Sequence, residues 1–289
     1  MVKYGKSSSF NNELSASELK SLDPDMLSEK IKTLLDHPHE ILYYGPHSKE
    51  EMLKHLSGHK ISDKMLSVGE KTEFPELDLI EPIVYFVDYD MVQSEITIMS
   101  KGPLYSMELI PSGRLFNEYF GSGLSSIVFQ EMRESKALAY SVFSTYRLPK
   151  DTNTSHYLMS YIGTQADKLS EAMSGMTELL DVMPEAETNM NNAKEAIEQK
   201  IRTERLTKSR ILSEYEKAQK LGINHDVRQD LYDGAQTFDI ASLREFHNSH
   251  ISSGTRVTMV LGSKEDLDLD VLKQYGEIKH LTLEDVFGY

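Results

Sequence analysis

A chain of 289 residues has room for one large or two ordinary domains, and 39% hydrophobic against 27% charged content suits a soluble globular protein with a sizeable core. Forty-six Asp and Glu against 31 Lys and Arg leave a net charge of −15, which repels nucleic-acid phosphates and anionic bilayers, so neither is expected as a partner. The absence of cysteine excludes disulfides, thiol catalysis and thiolate metal sites. No apolar run approaches the roughly 18 residues of a membrane span, and the polar residues 1–12 carry no signal peptide, so a soluble protein without a targeting signal in this chain is expected.

In chain order, residues 17–35 carry Leu19, Leu22, Met26, Leu27, Ile31, Leu34 and Leu35 at helical steps, with Asp23 as N-cap and Pro24 in the first helical position. A short strand is expected over 40–44, ending at Gly45-Pro46, and then a helix after Ser48 that stops near Gly58. Residues 61–81 show no period and read as a linker. Apolar strands follow over 83–89 and 94–100, with a turn at Asp90. Two helical segments, 105–120 and 124–135, are separated by Gly121 and Gly123. Strands 139–148 and 156–163 flank a polar turn and form a hairpin. Residues 164–222 are helical, broken at Met183-Pro184 and near Thr207, with Leu169, Met173, Met176, Leu179 and Leu180 as a core stripe. A helix over 240–250, a strand over 256–261 closed by Gly262, and a helix over 267–275 complete the chain. Strands in runs followed by helices in runs, without βαβ alternation, imply α+β architecture: a largely antiparallel sheet with helices packed on one face.

The sequence contains a repeat. The stretch Leu22-Asp23-Pro24-Asp25-Met26-Leu27 lies 216 residues before Phe238-Asp239-Ile240-Ala241-Ser242-Leu243, and Tyr43-Tyr44-Gly45 lies 217 residues before Val260-Leu261-Gly262. Both copies read helix, apolar strand, Gly, acidic-start helix. The expected organisation is therefore a tail of a preceding, truncated domain (1–60), a linker (61–81) and a C-terminal domain (82–289); the alternative is a chance match between two common helix–strand–helix units.

At 115–140 the pattern becomes specific. A Gly-rich helix break, Gly121-Ser122-Gly123, is followed by the helix end Gln130-Glu131-Met132-Arg133-Glu134 and by Leu138-Ala139-Tyr140 opening a strand. This resembles the second-repeat motif of the pitrilysin/insulysin (inverzincin) family of zinc metallopeptidases. The resemblance covers about 83–262, and Arg133 and Tyr140 stand at the family's Arg-x6-Tyr spacing. Ala137 departs from it, since Gly is usual there. The resemblance implies a zinc-free C-terminal half that closes on an N-terminal catalytic half, whose His-x-x-Glu-His motif holds the metal. It implies peptides as substrates, with Arg133 and Tyr140 as substrate-binding residues. Physically the assignment is sound: zinc hydrolysis of a peptide builds negative charge on the carbonyl oxygen, and a guanidinium and a phenol are donors suited to it. The alternative for these two residues is a surface ion pair of Arg133 with Glu131 or Glu134, and a Tyr140 that packs in the sheet.

No zinc motif stands in the chain itself. His55-Leu56-Ser57-Gly58-His59 has the i, i+4 histidines, but Gly58 occupies the place of the base and ends the helix. His247 and His250 sit near a helix C-terminus, where they are positioned to serve its last carbonyls, and His37 and His39 flank a proline in a loop. Zinc is thus expected in the parent enzyme and not on this chain, with no catalytic residues in this chain alone. Gly121-Ser122-Gly123-Leu124-Ser125 is neither a nucleophile elbow nor a phosphate loop, and the charged run 194–210 is a solvated helix face. Against the peptidase half stands a second reading, a catalytically inactive family member that acts as a binding or assembly subunit.

Overall fold

The computed structural model describes residues 1–59 and 72–288. The first part holds α1 (Ala16–Ser21), α2 (Pro24–Lys32) and α3 (Lys49–Leu56). The helical stretch expected over 17–35 is divided at Leu22-Asp23, where the Asp23 side chain caps α2 by accepting from Asp25 N and Pro24 takes the first turn. Ser48 and Glu51 form a reciprocal capping box on α3. The strand expected over 40–44 does not form. Among the described residues no other strand lies alongside this segment to share a ladder, and Ile41, Leu42, Tyr43 and Tyr44 stand exposed.

The remainder is built on β1 (Ile83–Asp88), β2 (Gln93–Leu104), α4 (Leu109–Phe116), α5 (Ile127–Phe129), β3 (Ser141–Arg147), β4 (Ser155–Gln165), α6 (Leu169–Asp181), α7 (Glu187–Thr203), α8 (Lys208–Lys220), α9 (Val227–Thr237), α10 (Ile240–His247), β5 (Arg256–Gly262), β6 (Glu277–Leu281) and α11 (Leu283–Phe287). Helices α4, α5 and α10 each run on into a π-helical turn, over Asn117–Gly121, Gln130–Ser135 and Asn248–Ser252. The expected last helix is a 3-10 helix, Leu269–Tyr275, and α9, β6 and α11 come in addition to the elements expected.

The fold is α+β, on one sheet of order β3-β4-β2-β5-β1-β6. The β3–β4, β4–β2 and β2–β5 pairs are antiparallel, and β5–β1 and β1–β6 are parallel. The expected β3–β4 hairpin is present. β1 and β2, adjacent in sequence, are separated by β5, so the turn at Asp90 joins strands that do not pair.

Alternation along each strand decides its faces. Val84, Phe86, Ile96, Ile98, Val142, Tyr146, Leu158, Ile162 and Val260 are buried beneath the helices, in one core with Phe116, Phe120, Met132, Leu243 and Phe246. The α6 stripe Leu169, Met173, Met176, Leu179 and Leu180 joins this core, each side chain contributing about 1.5–3 kcal/mol by burial. On the opposite face Phe143 stacks on Tyr161, ring centroids 5.3 Å apart. The N-terminus lies across one end of that face, with Lys3 Nζ 4.7 Å from the centre of the Tyr157 ring.

The described part of the expected linker is tied down. The Glu76 carboxylate pairs with Lys3 at 3.0 Å and accepts from Ser155 N at 3.0 Å, and Lys101 Nζ donates to Leu77 O and Asp78. The rest of the linker lies outside the described residues. Among the described residues no helix is long and apolar enough to cross a membrane.

Candidate functional site: a cationic pocket at the start of β3

Helix α5 begins at Ser126, whose hydroxyl accepts from Phe129 N. The chain then widens into the π turn. Met132 is fully buried in that turn, its sulfur seated against Gly175 of α6. With Met132 inward, the next residue, Arg133, is turned out to solvent. The turn closes through Lys136 N to Glu131 O (3.1 Å) and Leu138 N to Met132 O (2.8 Å).

Between these bonds Ala137 adopts φ 49°, the left-handed region, and among the described residues no other residue except glycine has positive φ. A reversal of this hand suits glycine, which is why the Gly-to-Ala departure falls on a strained position. Leu138 and Ala139 then dip into the core, Thr164 Oγ1 donates to Leu138 O at 2.6 Å, and Tyr140 N donates to Gly163 O at 2.9 Å, which launches β3.

The reversal brings Arg133 and Tyr140 to the wall of one pocket of about 400 Å³, with Glu134, Ala137, Gln165 and Lys168 among the lining. The Arg133 guanidinium lies 5.0 Å from the centre of the Phe129 ring, and among the described residues it forms no ion pair with Glu131 or Glu134. Tyr140 is 52% exposed and does not pack inside the sheet. Its hydroxyl accepts a hydrogen bond from the Gln165 side chain, which leaves the phenolic proton free to donate into the pocket. Lys168 is engaged by Glu171 at 2.9 Å. The arrangement therefore offers two donors, an N–H fork and an O–H, to an electron-rich oxygen. Gln165 and Lys168 escaped the sequence reading, and the only signal for Gln165 was its place at the end of the strand that pairs with β3.

Among the described residues the histidines form no metal centre. Helix α3 ends at Leu56, so His55 and His59 do not share a helical face, and His59 Nε2 instead meets His39 Nε2 at 2.7 Å. His247 and His250 are not helix-end caps. His247 is fully buried against Phe116 and Phe120, and His250 packs on Phe246 and Tyr146. Among the described residues no group of three or more His, Cys, Asp or Glu has the geometry to hold a metal, so these residues do not fit zinc.

Known proteins share this architecture. A conserved protein from Enterococcus faecalis superposes with TM-score 0.63 at 11% identity over 88% of this chain and 59% of that one. The ferredoxin protease FusC, solved in complex with Arabidopsis ferredoxin, gives TM-score 0.62 at 14% identity over 87% of this chain and 28% of its own. A peptidase M16 inactive domain from Pseudomonas fluorescens gives TM-score 0.55 at 16% identity over 66% of this chain and 47% of that chain. The chain thus spans less than two thirds of each. No curated protein matches it. The family model described as the peptidase M16 inactive domain matches residues 44–199, more than half of the sequence. On that match the chain belongs to the peptidase M16 inactive-domain family.

Proposed function

We propose that this chain is the substrate-gripping, non-catalytic part of a pitrilysin/insulysin-like zinc metalloendopeptidase. In this reading an N-terminal catalytic half supplies the zinc, and Arg133 and Tyr140 donate to the peptide carbonyl oxygen being attacked. The observation that carries it is the convergence of these two side chains on one open pocket: Arg133 has no carboxylate partner among the described residues, and Tyr140 is oriented by Gln165.

The chemistry asked of them is modest and definite. Bound zinc polarises the carbonyl in such an enzyme, and hydrogen bonds from preorganised donors add on the order of 100-fold each by stabilising charge as it develops. The guanidinium cannot serve as a base, and the phenol is a donor, so neither replaces the water-activating group. A neighbouring fold found in a protease–ferredoxin complex is in keeping with a polypeptide substrate.

The test mixes this chain with an N-terminal family half that carries His-x-x-Glu-His, and follows cleavage of a quenched fluorescent peptide. The chain alone should be zinc-free and inert, and the mixture active. Arg133→Ala or Tyr140→Phe should then lower kcat/KM by about 100-fold with zinc content unchanged. An inert mixture, or variants of undiminished rate, transfers the chain to the class of binding or assembly subunits.

A further inference from the structure

At the end of the sheet where Tyr140 opens β3, a carboxylate stands without a counter-ion. Glu95 of β2 is exposed, and among the described residues it forms no ion pair and no side-chain hydrogen bond. Its register places it on the face that the helices leave open. It lies opposite Leu261 of β5 on one side and Gly163 of β4 on the other, and Gly163 lies in turn opposite Ser141 of β3. None of these neighbours carries a charge.

Two partly exposed rings complete the surroundings. Tyr161 takes the next position on the same face of β4. It leans along the strand, since a Cβ on Gly163 would lie 3.1 Å from its hydroxyl. Phe143 of β3 stacks on it, ring centroids 5.3 Å apart. Burial raises the Tyr161 phenol above its ordinary pKa, and the nearby Glu95 carboxylate adds to the shift. A carboxylate beside aromatic rings suits an ammonium or a guanidinium: the carboxylate pairs with the charge, and the rings attract the cation and cover its methylene stem. An acidic side chain would meet only repulsion. The chain's net charge of −15 acts in the same direction by drawing in cationic peptides.

This patch adjoins the pocket of Arg133 and Tyr140. Tyr140 N donates to Gly163 O at 2.9 Å, and Gln165, which holds the Tyr140 hydroxyl, follows Gly163 on the same face. Glu95 and Ser141 flank Gly163 at two strand spacings, about 10 Å apart. A long side chain borne one or two residues from a carbonyl held at Tyr140 spans that distance. The N-terminal segment crosses the other end of the face, at Tyr157, about 20 Å away along β4.

We infer that Glu95, Tyr161 and Phe143 form a subsite for a basic side chain of the polypeptide, lysine or arginine, within two residues of the scissile bond; this rests on the reading of Arg133 and Tyr140 as carbonyl donors. Glu95 is the specificity-determining residue.

The test compares peptides that differ at one position, lysine, norleucine or glutamate, with that position walked along three residues on either side of the scissile bond. In the mixture with a catalytic N-terminal family half, lysine within two residues of the bond should give a kcat/KM about tenfold above norleucine. Glu95→Gln should remove that preference and leave the norleucine rate unchanged, and Glu95→Lys should turn it toward glutamate. Fluorescence anisotropy on the chain alone should show the same order of affinities, with the melting temperature unchanged by either substitution. If Arg133→Ala slows cleavage but the lysine preference is absent or survives Glu95→Gln, the subsite is overturned and the carbonyl donors stand. If the mixture is inert, binding decides. A lysine preference that needs Glu95 upholds the basic subsite while the carbonyl donors fall, and no such preference overturns both.

Discussion

A single backbone angle carries much of the site's geometry. Ala137 reverses the chain between Arg133 and Tyr140 at φ 49°, and an L-residue there loses roughly 1–2 kcal/mol to the clash of its Cβ with the following carbonyl. Glycine removes that clash, while its freer unfolded chain returns part of the gain. Ala137→Gly should therefore raise stability by a net ~0.5–1 kcal/mol in urea unfolding, with the pocket unchanged. A loss of stability would mean that the alanine methyl group makes a contact worth more than the strain. At this scale the family resemblance directed attention to Arg133 and Tyr140, which the fold brings to the same pocket, while their role there stands as a proposal. The partner of Tyr140 was not legible. Gln165 lies 25 residues away and reaches it only across the β3–β4 ladder.

Among the elements, β3 is an edge strand, and its outer side is guarded by one side chain. Asn117, in the π turn after α4, donates through Nδ2 to Tyr146 O at 3.0 Å and accepts from Tyr146 N at 2.6 Å, so its amide stands in for the peptide group of a missing neighbour. The same turn brings Gly121 so close to β3 that a Cβ would lie 1.8 Å from Ser144 O. Asn117→Ala leaves two backbone groups of the buried Tyr146 unpaired, and at about 1–3 kcal/mol each the loss should be about 3 kcal/mol. Urea unfolding at constant m-value measures it, and a loss under about 1 kcal/mol would show that water replaces the amide. Element types were largely legible because hydrophobic periodicity is a local signal. Adjacency was not: nothing in 83–100 announces that β5, some 160 residues later, inserts between β1 and β2. The strand expected over 40–44 had the right composition, but a strand also requires a neighbour, and composition does not supply one.

Across the whole molecule, the core is held together around histidines that must stay neutral. His156 is fully buried, stacks on Tyr146 with ring centroids 5.0 Å apart, and accepts at Nε2 from Ser106 N. Burial, and secondarily the nearby His250, pull its pKa down to about 4. Burial likewise lowers His247 and His250. Protonation of His156 would also cancel the Ser106 bond, since the acceptor lone pair is consumed. The sign follows from which state takes the proton first. Above about pH 6.5, the ordinary histidine value, folded and unfolded chains are both neutral at this position and its contribution is intact. As pH falls toward 4 the unfolded chain binds a proton that the folded chain refuses, so stability is lost through that window and levels off below it. For a shift from 6.5 to about 4 the loss is about 3 kcal/mol from His156. Carboxylates held low by partners act in a lower window: Asp285, kept at about 2 first by its bond to Lys6, loses its contribution only as pH drops below the usual carboxylate range. The two classes are therefore separable by pH. The urea midpoint should fall steeply between pH 6.5 and 4.5, and His156→Phe, which preserves the stack on Tyr146, should flatten that slope whatever it costs at pH 7. An unchanged slope in the variant would place the acid sensitivity in His247 and His250 instead.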